Sequence, residues 1–428
     1  MRLGILTSHP IQYQAPWFRG LAQEVALEIF FCHRPSAAEQ GGAGFGVAFE
    51  WDVDLLSGYR HRFLRNVAAQ PGVNRFCGCD TPEIGEIIRK AASRKQKTES
   101  ADSNFSVQLS AFSVSQFDAF IVSGWHLKSY WQAVRACRRA GIPVLVRGDS
   151  QLRTPRSWWK RWAKEMVYRQ LLRQFDGFLV VGQRNREYLT HYGVAEKKMF
   201  FAPHFVDNEW FKEKAETLKS RKAEIRTAWG ADDGTFVALF VGKFQEIKRP
   251  GDLLQALAKL NGRADLPVGQ DARQRGPTVI SVFVGAGELE NELRATATRL
   301  GVRAHFAGFK NQSELPACYA AADVVVLPSE SETWGLVVNE AMACGTPAIV
   351  SDAVGCAPDL IEEGKTGFVF PAGNVAALAA RLQSVAQSRP LIKAQKKSLA
   401  EKMTTYSVQT AVAGTVAAVR TLAEGSRK

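Results

Sequence analysis

The sequence has little for metal or disulfide chemistry. Its seven cysteines (Cys32, Cys77, Cys79, Cys137, Cys318, Cys344, Cys356) are odd in number, scattered, and include no pair of C-x-x-C units for zinc. Reduced thiols in a cytoplasmic protein are the expectation, with no metal and no cofactor. No stretch approaches the roughly 20 apolar residues that cross a bilayer, and the apolar run after Met1 is too short for a signal-peptide core. Any membrane contact is expected to be peripheral. Helix-turn-helix, zinc-finger and RNA-recognition motifs are missing too, so nucleic acid is not an expected partner.

What is present is ordinary globular material, 46% hydrophobic and 23% charged. The 428 residues exceed the size at which one core stops growing, about 250 to 300 residues, and predict two domains. A formal net charge of +13 favours a phosphate-rich partner: nucleic acid, anionic lipid headgroups or a nucleoside diphosphate. Charge by itself does not choose among them.

Short apolar runs alternate with stretches of helical period, the pattern of a parallel sheet with helical crossovers. Strands are predicted at Leu3–Thr7, Leu27–Phe31, Ala119–Ser123, Val144–Arg147, Gly177–Val181 and Met199–Ala202. A second series follows at Phe236–Val241, Val279–Val284, Ala304–Phe306, Val324–Leu327, Ala348–Ser351 and Gly367–Phe370. The fold class is therefore α/β, with two Rossmann-like doubly wound domains facing a cleft. The first is set at residues 1–203 and the second at 204–400. Residues 401–428 form a helical tail that can cross back to brace the first domain. Segments Ser36–Val47, Lys95–Ser115 and Gly262–Pro277 read as loops.

The most informative stretch is AADVVVLPSESETWGLVVNEAMACGTP, residues 321 to 347. It predicts a strand, a tight loop, and a helix Gly335–Cys344 with Gly345 suited to its end. A helix start binds anions through unpaired N–H groups and a partial positive charge. Glu332 lies just before that start and Glu340 inside the helix. A lone glutamate pair at this spacing is more often a solvated or dipole-complementing pair. With a ligand, Glu340 would accept from a ribose diol and Glu332 would hold sugar hydroxyls, the diphosphate lying over the helix start.

The surrounding residues resemble the retaining glycosyltransferases of the GT-B fold called group 1 or family 4. The E-x7-E motif, Glu332 to Glu340, continues into Ala341-Met342-Ala343-Cys344-Gly345-Thr346-Pro347. Upstream stand Gly242-Lys243 with Lys248, then Val284-Gly285-Ala286-Gly287 and His305-Phe306-Ala307-Gly308-Phe309; downstream stands Gly364-Lys365-Thr366-Gly367. The resemblance covers the second half. It implies that Lys243 and Lys248 neutralise the donor diphosphate, and that Glu340, Gly335, Leu336, Val337, Gly242 and Phe309 border the donor. Lys243 stands where arginine is commoner, keeping the charge without the bidentate fork. Retention is implied as well, by a front-face route in which a donor phosphate oxygen takes the acceptor's proton. Double displacement would need a nucleophile, for which Glu332 is the one candidate.

The first domain is expected to bind a glycan or lipid-linked acceptor, as in cell-surface polysaccharide synthesis. Its first loop is bulky and polar where many relatives have two glycines, which makes His9 and Gln12 cleft candidates. Asp149, flanked by Arg147, stands where many relatives place a histidine. The two side chains can pair with each other or meet sugar hydroxyls, and His126 is an alternative contact. Residues 153–173 combine seven basic residues with Trp158, Trp159 and Trp162, a composition that suits either an anionic membrane interface or buried aromatics under snorkelling cations.

Other functions compete. Gly285-Ala286-Gly287 suggests a nicotinamide enzyme, but Glu290 breaks the fingerprint. Asp52-Val53-Asp54 offers a metal-binding D-x-D string without a suitable context. An epimerase or a non-catalytic sugar-nucleotide binder on the same fold is the alternative to a transferase.

Overall fold

The computed structural model describes residues 1–42, 44, 46–99, 116–153, 158–261 and 278–425, without the side chains of 94–99, 158–164, 219, 261 and 389–394. The first sheet contains β1 (Arg2–Thr7), β2 (Ala26–Phe31), β3 (His61–Phe63), β4 (Ala119–Val122), β5 (Val144–Gly148), β6 (Gly177–Val180) and β7 (Met199–Phe201), in the order β3-β2-β1-β4-β5-β6-β7. The second contains β8 (Phe236–Val241), β9 (Val279–Val284), β10 (Ala304–Gly308), β11 (Val324–Leu327), β12 (Ala348–Ser351) and β13 (Gly367–Phe370), in the order β10-β9-β8-β11-β12-β13. The strands of both sheets pair in parallel.

Helices cover both faces of such sheets, so their strands are buried on both sides and read as continuous apolar runs. β8 and β9 are buried at every position. The doubly wound α/β expectation is met, with one strand added. β3 is a three-residue edge strand with His61 and Arg62 exposed, and it joins the sheet through its register with Ile29–Phe31. No apolar run marks it.

Two loop expectations need correction. Residues Ala37–Gly42 are helical, because Ser36 and Glu39 exchange hydrogen bonds at the helix start, 2.7 Å from the Ser36 N–H and 3.2 Å to its hydroxyl. The helix Glu83–Glu99 also runs into the segment read as starting at Lys95. Residues 100–115 and 262–277 lie outside the described residues.

In each sheet the order of strands reverses at one place, between β1 and β4 and between β8 and β11. Open α/β sheets bind ligands outside the carboxyl ends of the strands at such a switch point. The loops delivered there are Ser8–Gln12 and Ser123–His126 in the first sheet, and Gly242–Lys248 and Pro328–Glu332 in the second.

After the second domain the helix Val408–Gly425 returns to the first. Its Ala411, Val412, Val416, Ala418 and Val419 share a core with Leu3, Ile5, Trp17, Phe18 and Leu145. Gly414 makes that approach possible, since a Cβ there would lie 1.9 Å from the Phe201 carbonyl oxygen. Gly to Ala within a helix ordinarily gains about 0.5 to 1 kcal/mol. Gly414→Ala is expected to do the reverse, lowering Tm and speeding proteolytic loss of the terminal helix. A rise in Tm would mean that this helix does not dock on β7.

Candidate active site

The carboxyl ends of β8 and β11 bring three charged side chains together. The Lys248 ammonium donates to the Glu332 carboxylate, and both side chains are about four-fifths buried, at 22% and 17% exposure. Burial, and then the neighbouring Lys248, lower the Lys243 pKa, while Glu332 opposes the shift. Glu332 is fixed at its backbone as well. Its carbonyl accepts from the Gly355 N–H at 2.9 Å and from the Gln151 amide of the first domain at 2.7 Å.

The loop runs into the helix Leu336–Ala343, one residue shorter at each end than expected, with Gly335 and Cys344 as its caps. No side chain caps its start, so the first N–H groups there are available to an anion. Inside the helix Glu340 is only 7% exposed, and its Oε2 accepts from the Tyr319 hydroxyl at 2.5 Å. Burial pushes its pKa up to about 7, against the pull of hydrogen bonds from Tyr319 and Gln312.

At the first switch point the cleft side chains are polar and largely uncharged. His9 bonds Ser8 at 2.9 Å, and burial, followed by repulsion from His33, lowers its pKa to about 4. Gln12 keeps a buried amide oxygen with no partner, as Ser123 keeps its hydroxyl. His126 stands edge-on to Tyr130 at 5.5 Å, its pKa lowered by burial and partly restored by Asp149. It is not a cap, since no side chain caps the helix Lys128–Arg139. Arg147 turns away from Asp149 and donates to the carbonyls of Ala202 and Pro203 at 2.6 and 2.9 Å. Asp149 instead accepts from Thr333 of the second domain at 2.7 Å.

Several residues at this junction carry no motif in the sequence. Gln151, Thr333, Trp334 and His204 meet only through the facing of the two domains, and Pro203-His204-Phe205 reads in sequence as a boundary. A second bridge forms at the far edge. Phe49 packs on Phe309 with ring centroids 4.6 Å apart, and Asn311 donates to the Glu50 carbonyl at 2.6 Å.

The competing motifs have structural explanations. Asp52 accepts from the Ser313 N–H at 3.1 Å, while Asp54 accepts from Leu56 and Ser57 of its own turn. Neither aspartate points to a shared metal site. Gly285 lets the β9 loop approach β8, since a Cβ there would lie 1.9 Å from the Gly242 carbonyl oxygen.

Two doubly wound domains joined across a crevice have the GT-B architecture. The chain belongs to the group 1 glycosyltransferases of that fold: the model described as "Glycosyl transferases group 1" matches residues 221–405, and that of a "Glycosyl transferase 4-like domain" matches residues 47–203. A D-inositol 3-phosphate glycosyltransferase of Geodermatophilus obscurus is 33% identical over 247 residues, 57% of this chain and 52% of that protein. Sulfoquinovosyl transferase SQD2 of Arabidopsis thaliana is 38% identical over 133 residues, 30% of this chain and 26% of that protein. The chain thus spans about half, or less, of the length of the curated relatives it matches. Among solved structures, Anabaena Alr3699/HepE in complex with UDP and glucose aligns over 98% of this chain and 100% of its own, with a TM-score of 0.67 at 18% identity, a likeness of fold.

The raised Glu340 pKa makes a signed prediction. Its carboxyl is protonated in both states below the usual value near 4.5, and its contribution to stability is lost as pH rises from there to about 7. Glu340→Gln therefore gains stability over the native ligand-free protein between pH 5 and pH 8, by an order of about 2 to 3 kcal/mol. Thermal unfolding of both proteins at the two pH values measures it. An equal gap at both would place the carboxyl in an ordinary environment.

Proposed function

We propose that the chain transfers a sugar, with retention, from a nucleoside-diphosphate sugar to a glycan or lipid-linked acceptor, as a metal-independent hexosyltransferase of cell-surface polysaccharide synthesis on the cytoplasmic side. The observation that carries this reading is the meeting of Lys243, Lys248 and Glu332 beside the uncapped start of the helix that holds Glu340. Structures of the same fold described with UDP and with UDP-glucose support a nucleotide-sugar donor.

In this reading Glu340 takes the ribose hydroxyls and the diphosphate lies over the N–H groups of Leu336 and Val337, with Gly335, Gly242 and Phe309 around the nucleotide. Lys243 and Lys248 stabilise the charge that grows on the leaving diphosphate, which is where fixed cations lower a barrier most. A charge-assisted hydrogen bond contributes about 1.5 to 3 kcal/mol, whereas enzymes lower barriers by about 8 kcal/mol or more. Domain closure, aligning the acceptor and excluding water, supplies the remainder. His9, Gln12 and His126 face the acceptor, and Asp149 stands in the cleft where the domains meet. In a front-face substitution the acceptor hydroxyl attacks the anomeric carbon as the diphosphate leaves, and a phosphate oxygen takes its proton. Glu332 then orients the sugar and Lys248, and no separate base is needed.

The decisive assay is transfer from a radiolabelled nucleotide sugar to extracted membrane lipid. Lys248→Ala is expected to lower kcat by roughly 100-fold or more, on the scale of losing one preorganised donor, with a smaller effect on donor binding. An epimerised donor, or a donor bound but unchanged, would sink the transferase reading.

Peripheral membrane contact belongs to the same proposal. In the helix Trp158–Leu172, Met166 and Val167 are 61% and 57% exposed, and Leu152 nearby is 45% exposed. Residues 154–157 and the side chains of Trp158, Trp159 and Trp162 lie outside the described ones. No helix among the described residues is long and apolar enough to span a membrane. A Met166→Asp, Val167→Asp double variant is expected to bind vesicles of anionic phospholipid several-fold more weakly than the native protein. Unchanged sedimentation with those vesicles would remove this helix from the contact.

A further inference from the structure

We propose that His204 and Asp149 together read one hydroxyl of the sugar being transferred, an assignment that rests on the nucleotide-sugar reading above. His204 follows β7 in the segment joining the domains. Arg147 fixes that segment through the carbonyls of Ala202 and Pro203, and the His204 N–H donates to Val181 at 3.1 Å. The side chain is placed by rigid neighbours, only 9% exposed, with the Trp334 ring centroid 5.2 Å away and Tyr13 edge-on at 6.3 Å.

Neither ring nitrogen of His204 has a hydrogen-bond partner among the described residues. Leaving a buried polar group unpaired costs about 1 to 3 kcal/mol, and a ligand that pairs it removes that cost. Nε2 lies 3.9 Å from Asp149 Oδ2, too far for a direct bond. Nor is the pair an ion pair at neutral pH, because burial, followed by repulsion from Arg147, lowers the imidazole pKa to about 3.

In the ligand-free protein Nε2 is closed off from solvent, so a group that bonds both atoms has to enter between them as the ligand binds. An oxygen about 2.8 Å from both Nε2 and Oδ2 would stand at the corner of a near right angle, within the range of hydroxyl geometry. The carboxylate only accepts, and a neutral imidazole with its proton on Nε2 donates, so the group between them must donate to one and accept from the other. A hydroxyl does both; a methylene does neither and an ammonium cannot accept. The same Asp149 oxygen accepts from Thr333, the residue after Glu332, which puts the gap on the sugar side of the donor site and on the line where the domains meet. The selected donor is therefore a sugar with a free hydroxyl at this position.

The test uses the full chain without acceptor. Binding and slow hydrolysis of UDP-glucose and its monodeoxy analogues are compared in the native protein, His204→Ala, His204→Gln and Asp149→Ala, with UDP as control. The native protein is expected to disfavour one analogue by about 10- to 100-fold, the fold-change of one charge-assisted hydrogen bond. His204→Ala should bind that analogue and its parent alike, with UDP affinity unchanged, and His204→Gln should restore most of the difference. A folded His204→Ala that binds UDP normally and discriminates as before overturns the proposal. Asp149 is 44% exposed at its side chain, so Asp149→Ala carries the same test should His204→Ala not fold. If the native protein binds no nucleotide sugar from a wider panel, the donor reading itself falls. Normal donor binding with both variants still selective removes the His204–Asp149 contact and leaves the donor reading standing.

Discussion

The second domain's crevice depends on holding two lysines beside one carboxylate. Like charges repel more strongly where water is excluded, so an uncompensated lysine pair is disfavoured there. Glu332 offsets this by pairing with Lys248 and by raising the pKa that burial and Lys248 lower at Lys243. The cations are thereby in place in the ligand-free protein. Their reorganisation is taken up in folding rather than during a reaction, which is the condition under which fixed charges are most effective.

The same loop connects this charge cluster to the other domain. The Glu332 carbonyl accepts from Gln151, the Thr333 hydroxyl donates to Asp149, and Trp334 lies beside His204, so three successive residues each meet a side chain of the first domain or of the segment joining the domains. A movement of one domain against the other is felt at Glu332 within a residue or two of its carboxylate. The charge cluster and the line where the domains meet are consequently one mechanical unit. The Phe49–Phe309 contact forms a separate bridge on the opposite side of β8, and it couples through packing rather than charge.

How much of this the sequence reveals follows from where each signal lies. Buried parallel strands such as β8 and β9 are apolar at nearly every position, so their runs are plain; β3, exposed and three residues long, has none. The stretch from Val324 to Gly345 is also plain, because strand, loop and helix follow one another and the motif is contiguous. Glu340 is plain as a carboxylate on that helix, but neither the burial that raises its pKa nor the opposing bond from Tyr319, about twenty residues away, shows in the local pattern. His204 was harder still. Its surroundings are supplied by Arg147, Asp149 and Trp334, from three separate places in the chain, and no local pattern records such a meeting. In sequence Arg147 can pair with Asp149 or meet sugar hydroxyls, whereas in the fold the carbonyls of Ala202 and Pro203 claim its guanidinium.

The returning helix also sets an order of events during synthesis. Residues 408–425 complete one face of the first domain's core but are made after the whole second domain. While the ribosome is translating the second domain, Leu3, Ile5, Trp17 and Phe18 await their covering helix, and the growing chain carries an apolar face in the cell. The second domain has its own core, from β8 to β13 and its helices, and can close first. Biogenesis therefore inverts the order of the sequence: the half made first is finished last.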